Sequence, residues 1–456
     1  MSLSTQPYKG ARDFYPEDKR LQKYMFTVMS RVAESYGYEA YDAPILEPTD
    51  LFLSKGNEEI IQEQTYTFTD RGDRSVTIRT EMTPSVSRMV AGKRQELAYP
   101  LRWYSIPNLW RYERMQRGRL REFWQLNVDI FGVADISAEL EIIQIADDTL
   151  KAYGAKPDMY AIRINSRELV DYIMRDYFEL SEVEASTVIR LIDRMHKMDQ
   201  AAFIAQLDAI VSPSQRESGL TEHIVKLLGT KKVSDLPEEV RSHSSVFQLQ
   251  QLSDMLEASK ITNARFDITL MRGFDYYTGI VFEVFDTDPE NNRAMFGGGR
   301  YDGLIGSFGV EPIPTVGFGM GDVTLQNFLE SHNLLPDLPT ETDAYVILIG
   351  DILEKAQPVL MQLRSLGLNI AVDGSQRKLD KQIKTAMRKN IPYIIFVGEN
   401  ELASGEFKLR NITTSTEETH GISRLVSVVK DRRKKIGVHS SPRHEDVEDL
   451  DDLDNL

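Results

Sequence analysis

The chain has no cysteine among its 456 residues, which excludes disulfides, thiolate metal sites and a cysteine nucleophile. Histidine is scarce. The seven stand at 196, 223, 243, 332, 420, 439 and 444, and only the last two, in a polar tail, fall close together, so no metal centre is expected. No apolar run is long enough to span a bilayer, and the opening MSLSTQPYKGARDFYPED lacks the apolar core of a signal segment. A cytoplasmic protein with no membrane partner is expected. Positive charge is also in deficit, and a formal charge of −16 excludes a chain that coats nucleic acid indiscriminately, while local basic surfaces can still grip one structured RNA. Part of that deficit is the tail HEDVEDLDDLDNL, whose seven acids between Glu445 and Asp454 predict a solvated, disordered end over 438–456.

What the chain does have is concentrated first in RYERMQRGRLREFWQLNVDIFG, Arg111 to Gly132. Arg111, Arg114, Arg117, Arg119 and Arg121 surround Gly118, a turn able to present several guanidinium forks to one polyanion. After Arg121 the pattern has period two: Trp124, Leu126, Val128 and Ile130 share one strand face, Phe123, Gln125, Asn127 and Asp129 the other. An aromatic ring, amides and a carboxylate beside an arginine-rich loop read as a pocket wall. An ordinary hairpin with a solvated basic turn has the same local pattern.

In chain order, Glu17 to Tyr36 spaces apolar residues as a helix, with Pro16 before it and Gly37 after it. The stretch YEAYDAPILEPTDLF reads as a strand interrupted at Pro44, suited to an edge or a subunit contact. Tyr66 to Arg79 predicts two short strands joined by an Arg-Gly-Asp turn, and Glu81 and Thr83 precede a helix, either capping it or holding an ammonium group. Ser137 to Tyr153 predicts a helix closed by Gly154, and 166–259 a mostly helical insertion. Strand character returns over Arg265 to Phe285. The run Gly297 to Gly299 allows either close backbone approach to a ligand or a tight hairpin, and Gly317, Gly319 and Gly321 line a strand running into a helix. Beyond a Pro-rich linker at LLPDLPTET, strands and helices alternate as in a small α/β domain with a parallel or mixed sheet. Its helix Lys378 to Lys389, with Arg377, Lys378, Lys381, Lys384, Arg388 and Lys389, is either RNA-facing or a solvated basic face.

The blocks RYERMQRGRLREFWQLNVDIFG, MRGFDYYTGIVFE, FGGGRYDGL and VGFGMG, in this order, resemble the bacterial-type histidyl-tRNA synthetases, a class II family, from Lys9 to about Lys430. The resemblance implies an α+β catalytic domain (1–165 and 260–332) with a mostly antiparallel six-stranded sheet, a helical insertion (166–259) and a C-terminal α/β anticodon-binding domain (340–432). It further implies a homodimer, ATP and Mg²⁺, and two steps: histidine becomes histidyl-adenylate, then passes to the 3′ end of tRNA(His). Matched position by position, Glu81, Thr83 and Gln125 would hold the histidine α-amino group. Asp129 and Tyr277 would contact the two imidazole nitrogens, with Tyr276 lining the same pocket; the family often has glutamate where Asp129 stands. Arg111 and Arg272 would hold the α-phosphate and stabilise the charge that develops there, so no nucleophile or general base is needed. Phe123 would stack on adenine, Glu113 would accept from its amino group, and Arg119 would reach the terminal phosphate. Arg114 and Gln116 occupy positions that read the extra guanosine of the tRNA acceptor end. One departure stands out: Thr324 occupies the place of an arginine that clamps ATP. It favours an alternative, the histidine-sensing regulatory subunit of ATP phosphoribosyltransferase, against which stand the intact arginine loop and the C-terminal domain.

Overall fold

The computed structural model describes residues 3–53, 64–271, 276–291, 293–374 and 377–435, and the chain divides into two compact units, Met1–Pro336 and Asp337–Leu456. Arg272 and the acidic tail lie outside the described residues.

Among the described residues of the first unit the strands are β1 (Glu39–Ala40), β2 (Leu46–Pro48), β3 (Tyr66–Thr69), β4 (Ser75–Ile78), β5 (Leu101–Ser105), β6 (Asn108–Trp110), β7 (Glu122–Phe131), β8 (Tyr160–Ser166), β9 (Ala264–Phe266), β10 (Ile280–Asp286), β11 (Ala294–Arg300) and β12 (Thr315–Gly321). The large sheet runs β1-β5-β7-β12-β11-β10-β8-β9, with β6 also paired to β7. Its central six strands, β5 to β8 in that order, are mutually antiparallel. The sheet exceeds the six strands expected because two short edge strands, β1 on β5 and β9 on β8, add in parallel and make it mixed. The stretch around Pro44 divides between two sheets, β1 at the large sheet's edge and β2 on β4 in a three-stranded sheet with β3.

The period-two reading of β7 holds. Leu126, Val128 and Ile130 are buried against the helices Pro16–Ser35 and Ser137–Ala152, and burying each such side chain is worth about 1.5–3 kcal/mol. The opposite face, with Gln125, Asn127 and Asp129, is left for the site. The helix Pro16–Ser35 starts on a proline, carries Glu17 and Asp18 in its first turn, and gives way to Gly37 at φ +79°. In the helical segment after β8, Ser181 and Glu184 cap the helix Glu182–Arg194 reciprocally. The segment's apolar residues, among them Val188, Ile192, Leu207 and Leu252, are continuous with the core behind the sheet.

Gly297, Gly298 and Gly299 of FGGGRYDGL lie inside a strand, not in a hairpin turn, because β11 pairs with β10 on one side and β12 on the other. Gly298 sits between Phe282 and Phe318, whose rings approach to 6.3 Å, and a Cβ there would stand 2.5 Å from Phe318 Cβ and 2.1 Å from the Gly317 carbonyl. Gly297 and Gly299 point the other way, onto the site face.

The second unit has its own sheet, β14-β13-β15-β16-β17, from β13 (Ala344–Leu348), β14 (Ile370–Asp373), β15 (Tyr393–Val397), β16 (Glu406–Asn411) and β17 (Glu417–Gly421). β13 pairs in parallel with β14 and β15, and the rest is antiparallel, the mixed sheet expected. Helices Leu353–Ser365, Leu379–Arg388 and Ile422–Lys435 accompany it, each presenting an apolar stripe to one sheet face.

Candidate active site

A cavity of about 330 Å³ opens on the site face of the large sheet, lined by Glu81, Thr83, Arg111, Arg119, Gln125, Asn127, Asp129, Tyr276, Tyr277, Glu283 and Tyr301 over a floor of glycines. Register explains the floor. Across the sheet, Asp129 faces Gly317, which faces Gly299; one row along, Asn127 faces Gly319, then Gly297, then Glu283. A Cβ on Gly317 would meet Asp129 Oδ1 at 2.0 Å, and one on Gly319 would meet Gln125 Nε2 at 2.7 Å. Glycine here makes room for the polar side chains of neighbouring strands, Asp129 beside Gly317 and Gln125 beside Gly319.

Eight of the predicted site residues, from three separate stretches, meet at this cavity. Glu81 is no helix cap. Its Oε2 accepts from Tyr276 Oη at 3.1 Å, the same hydroxyl lying 3.4 Å from Thr83 Oγ1. Burial pushes the Glu81 carboxyl above its ordinary pKa, opposed by the Arg111 guanidinium and the Tyr276 hydroxyl. Asp129 Oδ1 accepts from Tyr301 Oη at 2.5 Å, and burial, only partly offset by that bond, pushes its pKa up to about 7. Tyr277 is held protonated by burial and by the carboxylates Glu81, Asp129 and Glu283, so it remains a phenol able to donate.

At the other end of the cavity Arg111 Nε donates to the Thr80 carbonyl at 3.0 Å, and its guanidinium carbon lies 5.4 Å from the Phe123 ring centroid. Glu113 is bracketed by cations, 3.2 Å from Arg119 and 3.9 Å from Arg111. Gln116 and Arg119 close the loop through paired backbone bonds, with Arg114 and Gln116 exposed at its tip. Thr324 is partly buried: its hydroxyl donates to the carbonyls of Met295 (2.9 Å) and Gly321 (3.1 Å), and its methyl lies against Gly118.

Tyr301 and Glu283 join the lining from outside the predicted site residues, and Asn127 joins it from the predicted polar strand face. Tyr301 follows directly on the glycine strand, and nothing local marks its hydroxyl as the partner of a residue 172 positions away. Glu283 did leave a signal, a lone carboxylate inside the apolar run Ile280 to Phe285. Asn127, on the predicted polar face, donates from Nδ2 to the Gln125 carbonyl at 3.0 Å and braces that strand segment.

The pocket therefore joins a carboxylate and phenol end, suited to a small ring with N–H groups and an ammonium, to an arginine end suited to phosphate. Comparison with known proteins agrees. Residues 10–323 match the family model "Histidyl-tRNA synthetase", and 343–432 match "Anticodon binding domain". A histidine–tRNA ligase of Leptospira biflexa is 41% identical over 443 residues, 95% of this chain and 99% of that protein. One of Thermoplasma volcanium is 35% identical, covering 93% and 98%. Among solved structures, the histidyl-tRNA synthetase of Nostoc sp. PCC 7120 superposes with a TM-score of 0.79 at 23% identity, over 94% of this chain and all of that one. With a family model spanning most of the chain and relatives this similar end to end, the chain belongs to the histidyl-tRNA synthetase family.

Proposed function

We propose that the protein is a histidine–tRNA ligase, activating L-histidine with ATP to histidyl-adenylate and passing the histidyl group to the 3′ end of tRNA(His). The observation that carries the reading is the meeting of Gln125, Asp129 and Tyr277, from distant stretches, in one cavity with Arg111 and Arg119. The imidazole is held between Asp129 and Tyr277, an acceptor at one nitrogen and a phenol at the other, while Glu81, Thr83 and Gln125 take the α-ammonium. Tyr276 closes that side. Arg111 spans the histidine carboxylate and the α-phosphate, joined by Arg272. The carboxylate oxygen attacks the α-phosphorus in line, the bond to the bridging oxygen breaks, and pyrophosphate leaves; alignment and charge neutralisation drive the step. Phe123 stacks on adenine, Glu113 accepts from its amino group, Arg119 reaches the terminal phosphate, and Arg114 and Gln116 meet the tRNA acceptor end.

Mg²⁺ would come with ATP on its distal phosphates and would neutralise their charge; among the described residues no cluster of three or more carboxylate or histidine side chains is placed to hold it without the nucleotide. The exposed Ile45, Leu46 and Phe68 around the three-stranded sheet support a homodimer through that region. Among the described residues no helix is long and apolar enough to cross a membrane, and we place the protein in the cytoplasm. The domain assignment proposed is catalytic over 1–165 and 260–332, insertion over 166–259 and anticodon-binding over 340–432. The regulatory-subunit alternative is disfavoured by the anticodon-domain match.

The test is charging of tRNA(His) by the full chain and by a truncation ending at Pro336. The full chain is expected to charge tRNA with labelled histidine; the truncation is expected to keep adenylate formation within a few-fold and lose most charging. Equal losses in both steps would assign the C-terminal unit a structural role, and no charging by the full chain would remove the ligase reading.

A further inference from the structure

An ATP triphosphate brings several negative charges into a cavity whose own arginines are partly committed. Arg111 and Arg119, which line it, bracket Glu113; elsewhere in the unit Arg12 is paired with Asp322 at 2.7 Å, Arg163 with Asp267 at 3.1 Å and Arg300 with Glu139 at 2.6 Å. Position 324, at the junction of β12 and its helix, supplies no cation, and its hydroxyl is tied up by two backbone carbonyls. A guanidinium stands at the same junction all the same. Arg293 immediately precedes β11, two residues before Met295, whose carbonyl holds the Thr324 hydroxyl, and its Nη1 donates to the Arg117 carbonyl at 3.3 Å, beside the Gly118 that packs on Thr324.

Two features distinguish this arginine. Its head lies against the loop that carries Arg119 into the cavity, through the Arg117 carbonyl. It is exposed, and among the described residues no carboxylate lies within ion-pair distance of it, so one long bond to a neutral carbonyl is what an anion would have to displace. The exposed Arg114 and Arg117 are also cationic, but they ride on the loop, whereas Arg293 is anchored next to a strand paired on both sides.

We propose that Arg293 clamps the distal phosphates of ATP, doing from the start of β11 what an arginine at position 324 would do from the following helix. The inference rests on the ligase reading above. On ATP binding its fork exchanges the Arg117 carbonyl for phosphate oxygens. That also releases the loop tip to close over the nucleotide.

The test is histidine-dependent exchange of labelled pyrophosphate into ATP by the full chain. Arg293→Ala is expected to raise KM for ATP by about tenfold to hundredfold, the span of a lost charge-assisted hydrogen bond. KM for pyrophosphate should rise in parallel, because the same group holds the departing phosphates, while KM for histidine stays within twofold. Arg293→Lys, which keeps the charge without the fork, should fall between. If the wild type exchanges and both variants keep its KM for ATP and pyrophosphate, or lose histidine affinity as much as ATP affinity, Arg293 is no phosphate ligand. If the wild type itself does not exchange, it is the ligase reading that fails.

Discussion

Asp129→Asn is expected to cripple histidine recognition and, at the same time, to stabilise the empty protein at alkaline pH. The carboxyl is buried, accepts one hydrogen bond from Tyr301, and has its pKa pushed from 3.8 to about 7. A carboxyl raised in this way binds its proton more tightly in the native state than in the unfolded chain. Its contribution to stability is therefore full below about pH 4 and is lost as pH climbs to about 7, beyond which the fold carries a buried anion at a cost of a few kcal/mol. That anion is what the substrate needs, since it accepts an imidazole N–H in a charge-assisted bond worth about 1.5–3 kcal/mol. Asparagine keeps the shape and removes the charge. The variant should lose about 10- to 150-fold in kcat/KM for histidine, yet melt above the wild type at pH 8, with the difference vanishing near pH 4. A melting temperature unchanged at both pH values would show that Asp129 carries no such strain, and undiminished histidine affinity would remove it from the pocket.

Gly317→Ala is expected to be nearly as damaging for a different reason. The added methyl would stand 2.0 Å from Asp129 Oδ1 and 2.8 Å from the Val128 carbonyl, so the carboxylate must leave its place facing the substrate. Exchange activity should fall at least about 100-fold, as expected when a reacting geometry shifts by an ångström, with melting also lowered but by less than in the Gly298 variant below, because the worst contact is relieved when the Asp129 side chain swings away and only the Val128 carbonyl must shift with the backbone. Gly298→Ala supplies the contrast: its methyl would meet the Gly317 carbonyl at 2.1 Å, backbone that cannot swing, so the fold itself should be lost or strongly destabilised. Comparable melting temperatures for the two variants would refute this division between a site glycine and a packing glycine.

Much of this geometry was legible in the residues. The alternation in β7 announced its polar face because a half-buried strand must sort its side chains by period two, and Pro16, Gly37 and Gly154 marked helix ends because backbone φ is local chemistry. The C-terminal unit's mixed sheet followed from the alternation of apolar strands and helices. The job of Gly297 to Gly299 was not legible: a run of glycines suits a turn as well as a strand, and only the pairing of β11 with β10 and β12 shows which neighbours each glycine makes room for. The parallel edge strands β1 and β9 are too short for any periodicity. Tyr301 and Arg293 act across the fold, one on a carboxylate 172 residues away and the other on a carbonyl 176 residues away, and no local pattern encodes such pairs.

The most direct measurement is amino-acid-dependent exchange of pyrophosphate into ATP by the purified chain, run with each of the twenty amino acids in turn. A pocket closed at one end by Asp129 and Tyr277 and at the other by Arg111 and Arg119 predicts exchange with histidine at least about a hundredfold above the rest, since a site built to hydrogen-bond a ring nitrogen rejects side chains that leave its groups unpaired. Exchange as fast with another amino acid, or none with histidine, would contradict the account.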